Sequence, residues 1–361
     1  GLIGCYGVWT VGMLSLKTGE HIGLASFTES IMIYKSVVVL ERGGPEMLRI
    51  VEDKLRPPKA GEARIKVIAT PVCQDDVAVR RGTRPFLAKP PYVPGYCSVG
   101  VVDAVGEGVT AVAPGDRVAA FMQYGGYSEI IYWDADNLVH VPDTLDPSAA
   151  AVIILNYLTA YQTMHRVAKV ESGDRVLIIG ASGGVGTAFL QLGKEAGLTM
   201  YGLASAAKHD TLIEHGARAI DYRTQDFVKV LRQVEPDGLD FVFNGMGEEY
   251  FEGGLAVLRR GGVLVHYGGP QSFGHLLLLV AKLLAYNLLP NGRRIKPYGT
   301  HRGDIESFRE DWATLFQMVE DKRIKPVLDA KFPILEAAKA NVLLESGQVA
   351  GNVVLLAPEY L

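Results

Sequence analysis

Residues 175–197 constrain the fold more than any other part of the chain. Residues 176–179 are an uninterrupted apolar run, the pattern of a parallel strand buried on both faces, and the run ends in a glycine cluster that opens into a helical pattern. Gly183, Gly184 and Gly186 remove side chains where a backbone must turn tightly and approach a pyrophosphate, whose charge then meets the free amides of a helix N-terminus. A glycine triplet alone is equally compatible with a helix-packing turn. The downstream pattern decides for a dinucleotide: 201–204, 219–222, 240–244 and 262–267 read as further strands, most of them separated by helical stretches, which is the alternation of a doubly wound sheet.

The chain of 361 residues is long enough for two domains, and its dispersed Lys and Arg with a formal charge of −4 offer no basic stripe for nucleic acid. Cys5, Cys73 and Cys97 are too few and too scattered for a disulfide framework or a four-cysteine zinc lobe, so a reducing, cytoplasmic compartment fits. The apolar run 276–290 is interrupted by Lys282 and Asn287 and falls short of the roughly 20 residues of a transmembrane helix. It reads as a buried or interface helix, with contact to a lipid surface as the lesser alternative. Residues 1–31 lack the basic start of a secretory signal and read as an N-terminal extension, artificial or coded upstream, without functional residues. The compact fold is expected to begin near Met32.

From residue 32 to about 155 the pattern changes to short strands broken by Gly and Pro: 33–40, 64–69, 99–105, 117–121 and 127–132. This spacing predicts a partly open antiparallel barrel. A helix starting at Asp146-Pro147-Ser148 leads into the glycine-turn domain, and strands over 325–328 and 353–356 are expected to rejoin the barrel.

These pieces carry a resemblance over residues 32–356. Val93-Pro94-Gly95, Pro114-Gly115-Asp116-Arg117-Val118, Gly125-Gly126-Tyr127-Ser128-Glu129, Leu158-Thr159-Ala160-Tyr161, the 180–186 turn, Gly216-Ala217 and Leu344-Glu345-Ser346-Gly347 occur in the order seen in medium-chain dehydrogenases/reductases. Within that superfamily the chain resembles the zinc-independent quinone oxidoreductases and the vesicle amine transport protein group. The resemblance implies an α/β fold, a partly open GroES-like β-barrel (32–155 and 298–361) plus a doubly wound Rossmann domain (156–297), and a homodimer. It also implies cofactor contacts at Thr159, Ser182, Gly183, Gly184, Val185, Asn244, Tyr267, Gly268 and Asn352.

Zinc-dependent relatives surround the metal with a cysteine, a Gly-His-Glu triplet and a later cysteine. Here Cys73 matches the first, the triplet reads Gly95-Tyr96-Cys97, and the third place falls near Leu155 or Asn156, so no metal site is expected. At the end of the second strand an NAD enzyme carries an acid for the ribose hydroxyls, whereas this chain reads Ala204-Ser205-Ala206-Ala207-Lys208. Ser205 and Lys208 therefore favour NADPH, and Tyr222 stands where the resembled family uses a tyrosine beside the adenosine phosphate; a surface lysine and a packed tyrosine would leave no preference between the cofactors.

Without a metal to acidify an alcohol, the substrate must accept hydride readily, which points to a small-molecule electrophile, a quinone or an α,β-unsaturated carbonyl compound. The tyrosine used by related reductases is absent; its positions hold Ala78 or Arg84. Tyr96 either presents its hydroxyl to the cleft or fills the vacated metal pocket. Asp75 and Arg84 are a proton relay and an oxyanion partner, or merely solvated or structural charges. Two functions follow: an NADPH-dependent, metal-free reductase, or a low-turnover NADPH-binding protein of the vesicle amine transport type with a partner- or lipid-binding role.

Overall fold

The structure, a computed structural model, describes residues 32–84, 88–269, 272–288, 292–300 and 305–361, and the expectation for residues 1–31 lies outside them. β1 (Ile33–Val39) and β2 (Leu48–Lys54) form an antiparallel ribbon. β3 (Glu62–Val72), β4 (Cys97–Val105), β5 (Arg117–Phe121), β6 (Ile130–Asp134) and β7 (Leu138–His140) follow in the first half of the chain. The second half contributes β8 (Arg175–Ile179), β9 (Thr199–Ala204), β10 (Arg218–Asp221), β11 (Leu239–Asn244), β12 (Leu258–His266) and β13 (Arg294–Pro297). β14 (Leu328–Pro333) and β15 (Asn352–Leu356) complete the set.

A seven-stranded sheet runs in the order β14-β15-β3-β4-β5-β7, with β6 also on β3, and the return of the C-terminal strands to the first sheet is as expected. All its pairs are antiparallel except β14 with β15. The second sheet is parallel throughout, in the order β10-β9-β8-β11-β12-β13. Its central strand is β8, whose Val176, Leu177, Ile178 and Ile179 are each at most 1% exposed, as a strand covered by helices on both faces requires. The barrel-plus-Rossmann α/β class read from the sequence is the one observed.

The two sheets share a core along the helical segment that begins at Pro147. Asp146 caps it by accepting a hydrogen bond from Ala149 N (3.0 Å), with Pro147 in the first turn, where its missing N–H costs nothing. The segment widens into π-type turns over Ile153–Tyr157 and Thr163–Ala168, the first of which carries Asn156. Trp312, on the helix Ile305–Glu320, is 1% exposed and donates to Ile154 O (3.1 Å), locking that helix onto the segment.

Some boundaries differ from expectation. Residues 325–327 are not strand; Val327 O instead accepts from both Asn352 N and Nδ2, and pairing with β15 starts only at Leu328. The 127–132 strand starts at Ile130, because Tyr127 N and Glu129 N are taken by Pro94 O and Lys35 O. β13 has no apolar run to announce it. It is held by β12 on one side and on the other by Asn287, whose side chain accepts from Ile295 N (3.0 Å) and donates to Ile295 O (2.9 Å).

Candidate functional site

The C-terminal ends of β8, β9, β10, β11 and β12 lie along one edge of the parallel sheet, where a doubly wound fold forms its ligand crevice. After β8, Gly180 turns the chain at φ +78° and Gly183 N donates to Gly180 O (3.1 Å). The helix Gly184–Glu195 then starts without a side-chain cap, and its first closing bond is Thr187 N to Gly183 O (2.8 Å). The amides of Gly184, Val185 and Gly186 therefore precede the helical ladder and are available to an anion. A Cβ at Gly186 would lie 2.2 Å from Gly180 O, so only glycine allows the turn. One at Gly184 would lie 2.5 Å from Asn352 Oδ1 and 2.7 Å from Asn156 Nδ2, two side chains that hydrogen-bond to each other (2.5 Å) beneath the turn. Ser182 is buried beside them, and its carbonyl accepts from Gly351 N (2.9 Å). The structure thus brings Ser182, Gly183, Gly184, Val185 and Asn352 together; Asn156, at an apolar helical position in the sequence, was not foreseen as their partner.

At the ends of β9 and β10, Ser205 and Tyr222 flank Lys208. Lys208 is less free than a phosphate ligand would be, because Nζ donates to Gly347 O (2.6 Å) and Val349 O (2.7 Å), which leaves one of its three N–H groups. Partial burial lowers its pKa, while the neighbouring Tyr222 favours and Arg223 opposes its charged form. Arg223, missed in the sequence although it directly follows Tyr222, is exposed, with its guanidinium carbon 5.8 Å from the Tyr222 ring centre. The nearest carboxylate in sequence, Asp221, is buried and engaged by Arg223 N (3.0 Å) and Thr224 Oγ1 (3.0 Å).

At the other end of the crevice, Asn244 Oδ1 accepts from Met246 N (2.9 Å), its Nδ2 donates to Gly247 O (3.0 Å), and its carbonyl accepts from Tyr267 N (3.0 Å). A Cβ at Gly268 would lie 2.9 Å from Met246 O, so this floor needs glycine too. Thr159 is buried, donating to Leu155 O (2.7 Å) and sharing a bond with Thr300 Oγ1 (2.9 Å). Burial drives the His266 pKa down to about 4, so its ring is neutral at physiological pH.

The helix Gln74–Arg81 and the residues after it bring Asp75 and Arg84 into an ion pair, Nη2 to Oδ1 at 2.6 Å and Nε to the same oxygen at 3.2 Å. The guanidinium lies against Gly269, where a Cβ would be 2.5 Å from Nη1. Nη1 itself is buried and has no hydrogen-bond partner among the described residues, a deficit of about 1–3 kcal/mol unless an acceptor arrives. Tyr96 is 8% exposed, packed edge-on to Phe121. Burial pushes its pKa far up, and Asp75 and Asp76 add to the effect. Its phenol therefore stays protonated.

Asp76 was overlooked in the sequence. Buried at 4% exposure, it accepts from Cys73 N (3.0 Å), Gly95 N (3.0 Å) and Tyr127 Oη (3.1 Å), and so fixes the loop that carries Tyr96. Cys73 and Cys97 are free thiols whose pKa values burial raises strongly. Among the described residues no three His, Cys, Asp or Glu side chains converge on a point that could hold a metal.

Two family models match this chain: one described as "Alcohol dehydrogenase GroES-like domain" over residues 59–143 and one described as "Zinc-binding dehydrogenase" over residues 215–355. The human synaptic vesicle membrane protein VAT-1 homolog is 29% identical over 342 residues, covering 90% of this chain and 86% of the relative. Pig quinone oxidoreductase is 29% identical over 332 residues, covering 90% of this chain and 98% of the relative. The crystal structure of Escherichia coli quinone oxidoreductase complexed with NADPH superposes with a TM-score of 0.80 at 26% identity, covering 89% of this chain and 99% of that one. With one family model on the barrel strands β3 to β7, the other running from before β10 into β15, and the likeness to relatives extending through nearly the whole chain, the protein belongs to the medium-chain dehydrogenase/reductase superfamily.

Proposed function

We propose that the protein is an NADPH-dependent, metal-free reductase of quinones or α,β-unsaturated carbonyl compounds. The observation that carries this reading is the crevice end at β9 and β10, where Ser205, Lys208, Tyr222 and Arg223 gather, while the carboxylates of Asp221 and Asp329 are each engaged, by Arg223 N and Thr224 and by Ala350 N. A 2′-phosphate is favoured there and a bare ribose is not. The neighbour crystallised with NADPH supports the same choice. NADPH, when bound, would supply the hydride. The amides of Gly184, Val185 and Gly186 would hold its pyrophosphate, and Thr159, Asn244, Tyr267 and Gly268 would line the nicotinamide end.

On the substrate side, Arg84 Nη1 is a buried donor without an acceptor among the described residues, suited to a carbonyl oxygen on which negative charge grows. Asp75 orients that guanidinium. Tyr96, kept protonated by burial, would donate a hydrogen bond or a proton. Cys73 and Cys97 are joined by no third ligand among the described residues, which favours chemistry without a metal.

The test is consumption of NADPH and of NADH across a panel of quinones and enones, with wild type and Lys208→Ala/Arg223→Ala. NADPH is expected to be preferred. The double variant should raise the KM for NADPH by about ten- to hundredfold, the worth of a lost charged hydrogen bond, and leave that for NADH unchanged. Tight NADPH binding with no turnover on any acceptor would refute the reductase and favour the low-turnover binding protein.

A further inference from the structure

A cavity of about 560 Å³ lies apart from the crevice, and none of the residues that line it belongs to the cofactor or substrate side. It sits between the start of the helical segment at Pro147, the C-terminal end of the helix Ile305–Glu320 and β14. Its volume falls within the roughly 300–1,000 Å³ of small-molecule sites. Leu145 and Pro326, both buried, and Val319 and Leu328, partly buried, supply an apolar floor. Three lysines, Lys322, Lys325 and Lys331, stand around it.

The carboxylates beside these lysines are already occupied. Glu320 accepts from Thr144 Oγ1 (2.5 Å), while Asp146 accepts from Ala149 N (3.0 Å) and has Lys331 Nζ at 3.9 Å. Arg323 pairs with Glu195 (2.8 Å), whereas Lys322 and Lys325 have no carboxylate partner among the described residues. The backbone gives a second, independent sign. The helix Ile305–Glu320 closes with Lys322 N on Val319 O (2.9 Å) and Arg323 N on Met318 O (2.9 Å), the bond pair of a Schellman motif, and Lys322 takes its left-handed position at φ +59°. Glycine is the usual residue there, because a Cβ strains that conformation. A lysine kept where glycine would relax the chain is explained by a task for its ammonium group in the cavity beside it.

Two unpaired ammonium groups over an apolar floor complement an anionic head on an apolar body. A bare inorganic anion would leave the floor uncovered, and a polyanion would meet Glu320 and Asp146 on the same rim. We propose that this cavity binds a small organic anion, an aromatic or branched aliphatic carboxylate, sulfonate or phosphate monoester, with Lys322 and Lys325 at its charged end. The experiment is calorimetric titration of the full chain with naphthalene-1-sulfonate, in NADP⁺ to keep the probe out of the crevice. The probe should bind, inorganic sulfate at the same ionic strength should not displace it, and the uncharged naphthalene-1-methanol should bind at least about tenfold more weakly. Lys322→Gly/Lys325→Gln should raise the Kd of the probe at least about tenfold with the circular dichroism spectrum unchanged. Lys322→Gly alone should weaken the probe and raise the melting temperature, since glycine suits φ +59°. No binding, equal binding of the uncharged analogue, or displacement by sulfate overturns the proposal. So does a Kd that the double variant leaves unchanged, which would put the probe elsewhere. A melting temperature lowered by Lys322→Gly overturns it too, because the lysine would then serve the fold.

Discussion

Replacing Asp76 by Asn tests whether a single buried carboxylate organises the substrate side of the crevice. Burial pushes the Asp76 pKa from 3.8 up to about 6, with the bonds from Cys73 N, Gly95 N and Tyr127 Oη holding it below where burial alone would put it. A carboxyl whose pKa is higher in the native state binds its proton more tightly folded than unfolded. Its contribution to stability is therefore largest below about pH 4 and falls as the pH rises through 6. The difference between 3.8 and about 6, at about 1.4 kcal/mol per pH unit, is worth about 3 kcal/mol. Asparagine does not titrate. It also turns an NH₂ toward one of the three donors, so the variant starts from a lower stability. The informative quantity is the slope: wild-type stability minus variant stability should shrink by about 2 kcal/mol between pH 4 and pH 6.5, most of the full difference. Urea unfolding followed by tryptophan fluorescence at a series of pH values reads this directly, since Trp312 is buried in the shared core. A gap that stays constant or widens with pH refutes the reasoning.

Gly186→Ala should destabilise by about 1–3 kcal/mol and abolish cofactor binding, because the new Cβ meets backbone at 2.2 Å; a wild-type melting temperature would contradict this. Gly184→Ala meets only the side chains of Asn352 and Asn156, so its thermal melt should move less while NADPH affinity, read by fluorescence titration, still falls. Arg84→Met should cut kcat about ten- to hundredfold with little change in the Kd for NADPH, and an unaltered kcat would remove Arg84 from the mechanism.

What could be read from the chain was what depends on neighbours in sequence. The run 176–179 and the glycines after it defined β8 and its turn because both signals are local, and β5 fell at Arg117–Phe121 for the same reason. The β13 segment Arg-Ile-Lys-Pro has no strand signature; it is made a strand by β12 and by Asn287. Lys208 carried the right charge in the right turn, but nothing local could reveal that carbonyls at 347 and 349 would occupy two of its protons. The three donors that fix Asp76 come from positions 73, 95 and 127, so its importance emerges only when the barrel closes. Arg223 was legible in principle, standing next to a tyrosine already singled out.

The amide of Asn287 imitates one residue of a neighbouring strand, presenting one acceptor and one donor to Ile295 where another chain would present its backbone. The parallel sheet is thereby terminated from within. Extending it past β13 would mean breaking two hydrogen bonds already made, so growth of sheet into sheet, the first step toward fibrous aggregates, has no open end here.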